Sequence, residues 1–181
     1  MTLLDRSRID TLVGGIAVLE TQRLVLRAPR FADAKQVAAL VNDRRIAQNT
    51  ARIPHPYTVD DAREWIGAVA SQSASSYVIT IAGEVLGACG VDLRDSVPEI
   101  GYWIGVPFWG SGYATEAARR LVDHAFRDLR YEVLTASARV SNPASRRVLE
   151  KCGFQWIGVG LCRIRAISSS VPVDRFRLER P

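Results

Sequence analysis

The residues between Tyr77 and Ile104 constrain the fold more than any other part of this sequence. Apolar side chains alternate with small or polar ones in three successive segments, residues 77–81, 85–91 and 97–104. A period of two predicts β-strands, and the turn pair Ala82-Gly83 joins the first two segments as a hairpin. We therefore expect three adjacent strands at the centre of the fold.

Helical and strand patterns alternate on both sides of this central region. Upstream of it, the predicted elements are a strand at residues 24–27 and helices at residues 31–41, 44–49 and 58–71. Downstream of it, helices at residues 112–127 and 143–151 alternate with strands at residues 133–140, 154–161 and 173–178. The predicted fold class is α/β (α+β), with a central mixed, mostly antiparallel sheet of about six or seven strands flanked by helices. This order of elements is not that of a Rossmann fold.

Length and composition limit the number of domains and the compartment. The 181 residues suffice for one substantial core and no linker or repeat divides them, so we expect one domain over residues 1–181. Residues 1–15 are predicted to form a loosely held arm. No stretch approaches the roughly 18 apolar residues of a membrane span, and the N-terminus lacks the apolar segment of a signal peptide. The predicted location is the cytoplasm, without a membrane partner.

The charge and the cysteines argue against further classes of protein. The net charge of +5 comes almost wholly from arginines, which are scattered and form no basic block of the kind that binds nucleic acids. The three cysteines, Cys89, Cys152 and Cys162, lack metal-ligand spacing and are odd in number. We therefore predict no nucleic-acid partner, no metal site and no disulfide framework, with Cys89 as a buried thiol in a strand.

A turn that contains two glycines precedes a strongly amphipathic helix. Gly110 and Gly112 let the backbone approach a ligand without a side chain in the way. The unpaired amides of the first helical turn, together with the helix dipole, favour an anion such as a pyrophosphate. The turn lacks the Lys-Ser/Thr ending of a P-loop. By itself it is also compatible with a helix start that binds nothing.

A second motif, at residues 142–154, is a helix with clear end signals. Asn142 is the predicted N-cap, Pro143 the first helical residue and Gly153 the residue just beyond the end. Together with the glycine turn, this motif resembles the pattern of the GNAT superfamily of N-acetyltransferases, in which a pyrophosphate loop is followed by an Asn and then by Gly-Phe.

Three further segments resemble one branch of that superfamily, the ribosomal-protein-alanine (Rim-type) acetyltransferases. They are Leu-Glu-Thr-Gln-Arg-Leu-Val-Leu-Arg at residues 19–27, Pro-His-Pro-Tyr at residues 54–57 and Glu-Ile-Gly-Tyr-Trp at residues 99–103. The resemblance extends over residues 19–178, nearly the whole chain. It is specific to superfamily and branch, and it does not specify the acceptor.

The resemblance implies a GNAT fold and an enzyme that transfers an acetyl group from acetyl-coenzyme A (acetyl-CoA) to a primary amine, which is a protein N-terminus or a small molecule. It assigns contacts with the coenzyme to nine residues, Trp103, Ile104, Gly110, Ser111, Gly112, Tyr113, Ala114, Thr115 and Asn142. It assigns the acceptor site to His55, Tyr57 and Tyr102. Two positions depart from the family pattern: Trp109 stands where the loop usually begins with Gln or Arg, and Leu149 stands where many members have a tyrosine.

Direct attack of an amine on a thioester requires a neutral amine, a polarised carbonyl and stabilisation of the leaving thiolate. Glu99 is the candidate base, and a backbone amide near residues 102–104 is the candidate donor to the carbonyl. Leu149 lacks the hydroxyl that many members have at its position, and the resemblance implies that Ser145 places a hydroxyl near the sulfur of the coenzyme.

Each candidate has a structural alternative. Glu99 is equally consistent with a solvent-facing carboxylate or an anchor for a cationic substrate, and Ser145 with a helix-surface serine. A histidine held between two prolines, as His55 is, more often has a structural role, and His124 is expected to lie on its helix without a partner.

Other functions also remain compatible with the sequence. The alternative is a catalytically weak acyl-CoA-binding or sensor module, which the departures at Trp109 and Leu149 favour and the intact glycine turn argues against. The donor is open to another acyl group such as succinyl. The resemblance is compatible with a homodimer.

Overall fold

The computed structural model describes residues 12–13, 16–71 and 75–181. In these ranges the elements in chain order are β1 (Leu12–Val13), β2 (Ile16–Ala17), β3 (Leu19–Glu20), β4 (Val25–Arg27), α1 (Ala34–Val41), α2 (Arg44–Ala47), α3 (Val59–Ser71), β5 (Ser75–Ile81), β6 (Glu84–Asp95), β7 (Val97–Ile104), α4 (Tyr113–Arg127), β8 (Val133–Arg139), α5 (Pro143–Lys151), β9 (Gln155–Ile164) and β10 (Ser169–Glu179). The predicted arm at residues 1–15 lies outside the described residues, except that β1 pairs with β2.

An eight-stranded sheet forms the centre of the described part of the chain, with the strand order β3-β4-β5-β6-β7-β8-β10-β9. The prediction of a mixed, mostly antiparallel sheet is confirmed, because all neighbours are antiparallel except the parallel pair β7 and β8. The sheet has eight strands, against about six or seven predicted. The additional strand is β3, whose two residues are too few to show a period.

The two parallel strands at the centre separate almost at once. Their ladder contains a single residue pair, Glu99 opposite Thr135. Every other described neighbour in this sheet pairs through at least two residues, and β8 pairs with β10 through seven. Beyond Glu99, the edge of β7 therefore faces a gap that opens between two neighbouring strands.

Helices cover the two faces of the sheet. On one face, α4 and α5 pack against a large apolar core that includes Ile100 and Ile104 of β7. On the other face, α1 and α3 pack against a smaller core, and Trp103 contacts that one. Because side chains alternate along a strand, Tyr102 lies on the α4/α5 face while Glu99 lies on the α1/α3 face.

Hydrogen bonds at the helix ends confirm the predicted start of α3 and the predicted bounds of α5. Thr58 and Asp61 exchange the hydrogen bonds of a capping box at the start of α3. The Asn142 side chain accepts from the Ser145 amide at 3.2 Å at the start of α5. Gly153 follows α5 with φ +92°, the left-handed conformation expected of it.

His124 corrects one prediction. Instead of having no partner, it is buried on α4 with Nε2 3.0 Å from the Tyr77 hydroxyl and Nδ1 2.6 Å from Asp128 Oδ2. Tyr77 is 47 positions away in the sequence, so helix periodicity gave no indication of this contact. No helix in the described ranges is both long and apolar enough to cross a membrane.

Candidate active site

The glycine turn between β7 and α4 adopts the conformation that its sequence predicts. Gly110 has φ +79° and Gly112 has φ +80°, values that side chains with a Cβ atom rarely adopt. A short 3-10 helix, Val106–Phe108, brings the chain from β7 into the turn. The Trp109 indole Nε1 donates to the Ile104 carbonyl oxygen at 2.7 Å, which ties the turn to the end of β7.

The backbone amides of this turn are available to a ligand. From Gly110 to Thr115, no amide donates to an acceptor within the part of the chain that the structure describes. The first internal bond runs from the Glu116 amide to the Gly112 carbonyl oxygen. These amides lie at and just before the N-terminus of α4, a helix of 15 residues. The helix dipole adds positive potential at this terminus. The arrangement fits a pyrophosphate, which accepts many hydrogen bonds and carries negative charge.

Glu116 anchors the turn to the N-terminal part of the fold. Its carboxylate accepts from the Thr21 hydroxyl at 2.6 Å, the Arg23 amide at 2.9 Å and Arg23 Nε at 2.7 Å. The Arg23 guanidinium also donates to the Ser111 carbonyl oxygen at 3.0 Å and lies 4.6 Å from the centre of the Tyr113 ring. The Arg23–Glu116 contact was not predicted, because 93 positions separate the two residues.

We expect Glu116→Gln to lower the free energy of unfolding by about 1 kcal/mol at neutral pH, a value reduced by solvent screening of the partly exposed pair. Burial acts to raise the pKa of Glu116, but the hydrogen bonds from Thr21 and Arg23 outweigh it and hold the pKa below its usual value of 4.5. The carboxylate therefore stabilises the fold fully at pH values above 4.5. This contribution is lost as the pH falls through the lowered pKa of Glu116.

Urea unfolding of the two proteins between pH 7 and pH 3 measures this difference. The difference in free energy of unfolding between the parent protein and Glu116→Gln should decrease as the pH approaches 3. Glu150→Gln is the matched control, because Glu150 is an exposed carboxylate with one arginine partner, Arg146. A difference that stays constant down to pH 3 would contradict the role of the charge.

A pair of hydroxyl groups lies where β7 meets the N-terminus of α5. The Tyr102 hydroxyl is 3.0 Å from the Ser145 hydroxyl and donates to the Ser145 carbonyl oxygen at 3.1 Å. Burial raises the pKa of Tyr102, while the hydrogen bond with Ser145 partly opposes the shift. Tyr102 therefore stays protonated at neutral pH and keeps a hydrogen to donate. Leu149 is fully buried in the core. It therefore offers no hydroxyl group to the site, in contrast to the tyrosine of the family pattern.

The backbone of β7 presents alternate groups to the gap between β7 and β8. The Gly105 amide donates to Leu86 on β6 at 2.8 Å, so the backbone groups of Trp103, two residues earlier, also face β6. Those of Tyr102 and Ile104 face the opposite side, toward β8. The bond from Trp109 to the Ile104 carbonyl oxygen agrees with this direction.

Glu99 lies at the bottom of the gap, on the α1/α3 face, and its side chain is exposed. It accepts from the Ser137 hydroxyl on β8 at 2.8 Å. On the neighbouring strand β6, Asp92 lies directly opposite Glu99 and forms an ion pair with Arg52. Burial, followed by the charge of Glu99, raises the pKa of Cys162 on β9, so that thiol also lies in the field of Glu99. Glu99 is therefore a solvent-accessible carboxylate held by one hydroxyl.

His55 and Tyr57 lie between α2 and α3. Tyr57 packs against the smaller core, and burial, with the nearby Asp61 and Glu64, raises its pKa to about 12.

His55 borders a cavity of about 10 Å³ beside Gln48 and Ala166. Its buried Nδ1 has no hydrogen-bond partner among the residues that the structure describes. Within the same residues, no hydrogen bond or ion pair joins His55 or Tyr57 to Glu99.

Comparison with known proteins agrees with this geometry. The family described as acetyltransferase (GNAT) domain matches residues 23–155, more than half of the chain. This chain belongs to the GNAT acetyltransferase family, and it is an acyl-CoA-dependent acetyltransferase.

Its relatives include proteins of the same kind. The uncharacterized N-acetyltransferase p20 of Bacillus licheniformis is 29% identical over 150 residues, 78% of this chain and 84% of that protein. The putative ribosomal N-acetyltransferase YdaF of Bacillus subtilis (strain 168) is 29% identical over 143 residues, 74% of this chain and 78% of that protein. The solved structure of Mycobacterium smegmatis RimJ in complex with CoA-disulfide has a TM-score of 0.80 at 19% identity, over 92% of this chain and 88% of that one. That likeness shows the fold.

Proposed function

We propose that this protein transfers an acetyl group from acetyl-CoA to a primary amine by direct attack of the amine on the thioester. The observation that carries the proposal is the run of available amides from Gly110 to Thr115, next to a gap between two parallel strands. When bound there, acetyl-CoA supplies the activated acyl group, and the residues around the gap bind and orient it. Asn142 and Ser145 stand at the start of α5, and the Ser145 hydroxyl is 3.0 Å from that of Tyr102 on β7.

The roles follow from where each group points. The amides of Tyr102 and Ile104 face the gap and are the candidates that polarise the acyl carbonyl. This assignment moves the predicted contact of Trp103 to its two neighbours, because the Trp103 backbone faces β6. On the α1/α3 face, Glu99 takes the proton from the incoming amine, directly or through water. On the α4/α5 face, the Ser145 hydroxyl, held by its hydrogen bond with Tyr102, donates to the departing thiolate.

We expect Tyr102→Phe and Ser145→Ala each to lower kcat by about 10-fold or more. Ser145→Ala removes the hydroxyl that donates to the sulfur as it becomes charged, and Tyr102→Phe removes the hydroxyl that holds Ser145 in place. The double variant should lose little more than the worse single variant, because the two hydroxyl groups act as a pair. Steady-state kinetics with acetyl-CoA measure both effects. Ser145→Thr keeps the hydroxyl and should restore most of the rate; a rate as low as that of Ser145→Ala would contradict the role.

The acceptor is an amine of one of two kinds. The name of the YdaF relative, a putative ribosomal N-acetyltransferase, favours a protein N-terminus. The exposed position of Glu99 is equally suited to a small amine. The alternative function is an acyl-CoA-binding or sensor module, which would share the loop and lack turnover.

Release of free CoA thiol, measured with a panel of N-terminal peptides and small amines, tests the proposal. We expect at least one amine to accelerate release and to gain an acetyl group detectable by mass spectrometry. If acetyl-CoA binds and no amine accelerates release, the sensor function is favoured. If acetyl-CoA does not bind, the proposed function is wrong.

A further inference from the structure

A second concave site lies beyond Glu99. The cavity has a volume of about 430 Å³ and is lined by Ala51, Arg52, Arg163, Arg165 and Ser168. Its size is in the range of small-molecule sites, and three of its five lining residues are arginines. A hydrogen bond of 2.9 Å from the Arg165 amide to the Ala51 carbonyl oxygen joins the two sides of the cavity.

Two of these arginines are not neutralised. Arg52 forms an ion pair with Asp92. For Arg163 and Arg165, no carboxylate within the described residues lies close enough to form an ion pair. Arg165 acts only at a distance on Asp61, whose pKa is lowered chiefly by its hydrogen bonds with Thr58. Guanidinium groups bind carboxylates and phosphates through paired hydrogen bonds, so two unpaired ones in a cavity favour an anionic ligand.

One ion pair and one cross-strand pair connect the cavity to Glu99. Arg52 lines the cavity and holds Asp92, and Asp92 stands directly opposite Glu99 on the neighbouring strand. Such cross-strand pairs share a face of the sheet, with Cβ atoms about 5 Å apart. Arg139 adds a further cation on the neighbouring strand β8, where its Nη1 donates to the Gln48 carbonyl oxygen at 2.7 Å. An amine at Glu99 therefore has a basic cavity beside it.

We propose that the acceptor carries an anionic group, a carboxylate or a phosphate, close to its amine, and that Arg163 and Arg165 bind this group. The inference rests on the proposed function, since it places the reacting amine at Glu99. The carboxylate and the arginines recognise opposite charges, so together they select a zwitterionic acceptor over a simple cationic amine. A small molecule and the N-terminus of an acidic peptide both have this chemistry.

Two matched pairs of acceptors test the inference. One pair is O-phosphoethanolamine against ethanolamine, and the other is a peptide that begins Ser-Glu-Glu against one that begins Ser-Gln-Gln. We expect the anionic member of at least one pair to have a kcat/KM about 10- to 100-fold higher, mainly through a lower KM. The pair that shows the preference identifies the source of the anion. Added salt should reduce the preference.

The double variant Arg163→Gln/Arg165→Gln should bring that ratio close to one. The control is Arg127→Gln/Arg180→Gln, which removes the same charge from two arginines that pair with Asp123 and Glu132 elsewhere on the surface. It should keep the preference. Acetyl-CoA affinity of each variant, measured by calorimetry, verifies that the fold is intact.

Three results would overturn the inference. Equal kcat/KM within both pairs would do so and leave the proposed acetyltransfer standing, because the amines would still be acetylated. A preference that both double variants lower equally would show an effect of net charge and not of this cavity. Binding of acetyl-CoA without turnover of any acceptor would overturn the inference and the proposed function together.

Discussion

Gly112→Glu should abolish binding of acetyl-CoA, with affinity lower by roughly 100-fold or more. The new carboxylate would repel the pyrophosphate, because two like charges about 4 Å apart repel by several kcal/mol near a protein surface. Gly112 has φ +80°, and a Cβ atom there would lie 3.6 Å from the Arg23 guanidinium that fixes the turn. The new carboxylate would also stand among the amides that we propose bind the pyrophosphate. Isothermal titration with acetyl-CoA measures the loss.

Gly83→Glu is the matched control for this variant. Gly83 has φ +86° in the exposed turn between β5 and β6, with open space around the position of a Cβ atom. It therefore takes the same backbone strain and the same new charge away from the site. We expect its affinity for acetyl-CoA to stay within about twofold of the parent protein. Unchanged affinity in Gly112→Glu would remove the turn from the binding site.

Glu99→Gln should lower turnover by about 100-fold near pH 7, the lower end of the contribution expected from a general base. The variant cannot accept the proton of the amine, so only amine that is already neutral reacts. An α-amino group has a pKa of about 8, and above that pH most of the acceptor is neutral without help. The deficit should therefore shrink as the pH rises toward 9. Profiles of kcat/KM against pH measure this.

Glu84→Gln serves as the control, because Glu84 is an exposed carboxylate at the start of β6, outside the gap between β7 and β8. Its profile should match that of the parent protein. A deficit in Glu99→Gln that is the same at every pH would assign Glu99 to acceptor binding, and no deficit would remove it from the reaction.

Local signals in the sequence predicted most of the elements. The bounds of β7 (Val97–Ile104) and α5 (Pro143–Lys151) agree with the prediction, because alternation marks the strand and Asn142 and Gly153 mark the helix ends. The prediction failed where the signal is short. The two-residue strand β3 carries no period, and its pairing with β4 is set by the tertiary fold.

The sequence could not predict the parts of the site that depend on contacts between distant parts of the chain. The glycine turn itself is local, but the residues that fix it are not: Arg23 meets Glu116 across 93 positions, and Tyr102 meets Ser145 across 43. The resemblance suggested Ser145, and only the fold brings Tyr102 against it. The cavity beside Glu99 joins Arg52 to Arg163 and Arg165 in the same way, although scattered arginines gave no pattern along the chain.

A crystal structure with acetyl-CoA bound tests the central claim most directly. We predict pyrophosphate oxygens within about 3.2 Å of several amides between Gly110 and Thr115, the distance of a hydrogen bond. We also predict the thioester between β7 and β8, with its carbonyl toward the Tyr102 or Ile104 amide and its sulfur near the Ser145 hydroxyl. A pyrophosphate held elsewhere, or a thioester outside that gap, would contradict the site and the mechanism derived from it.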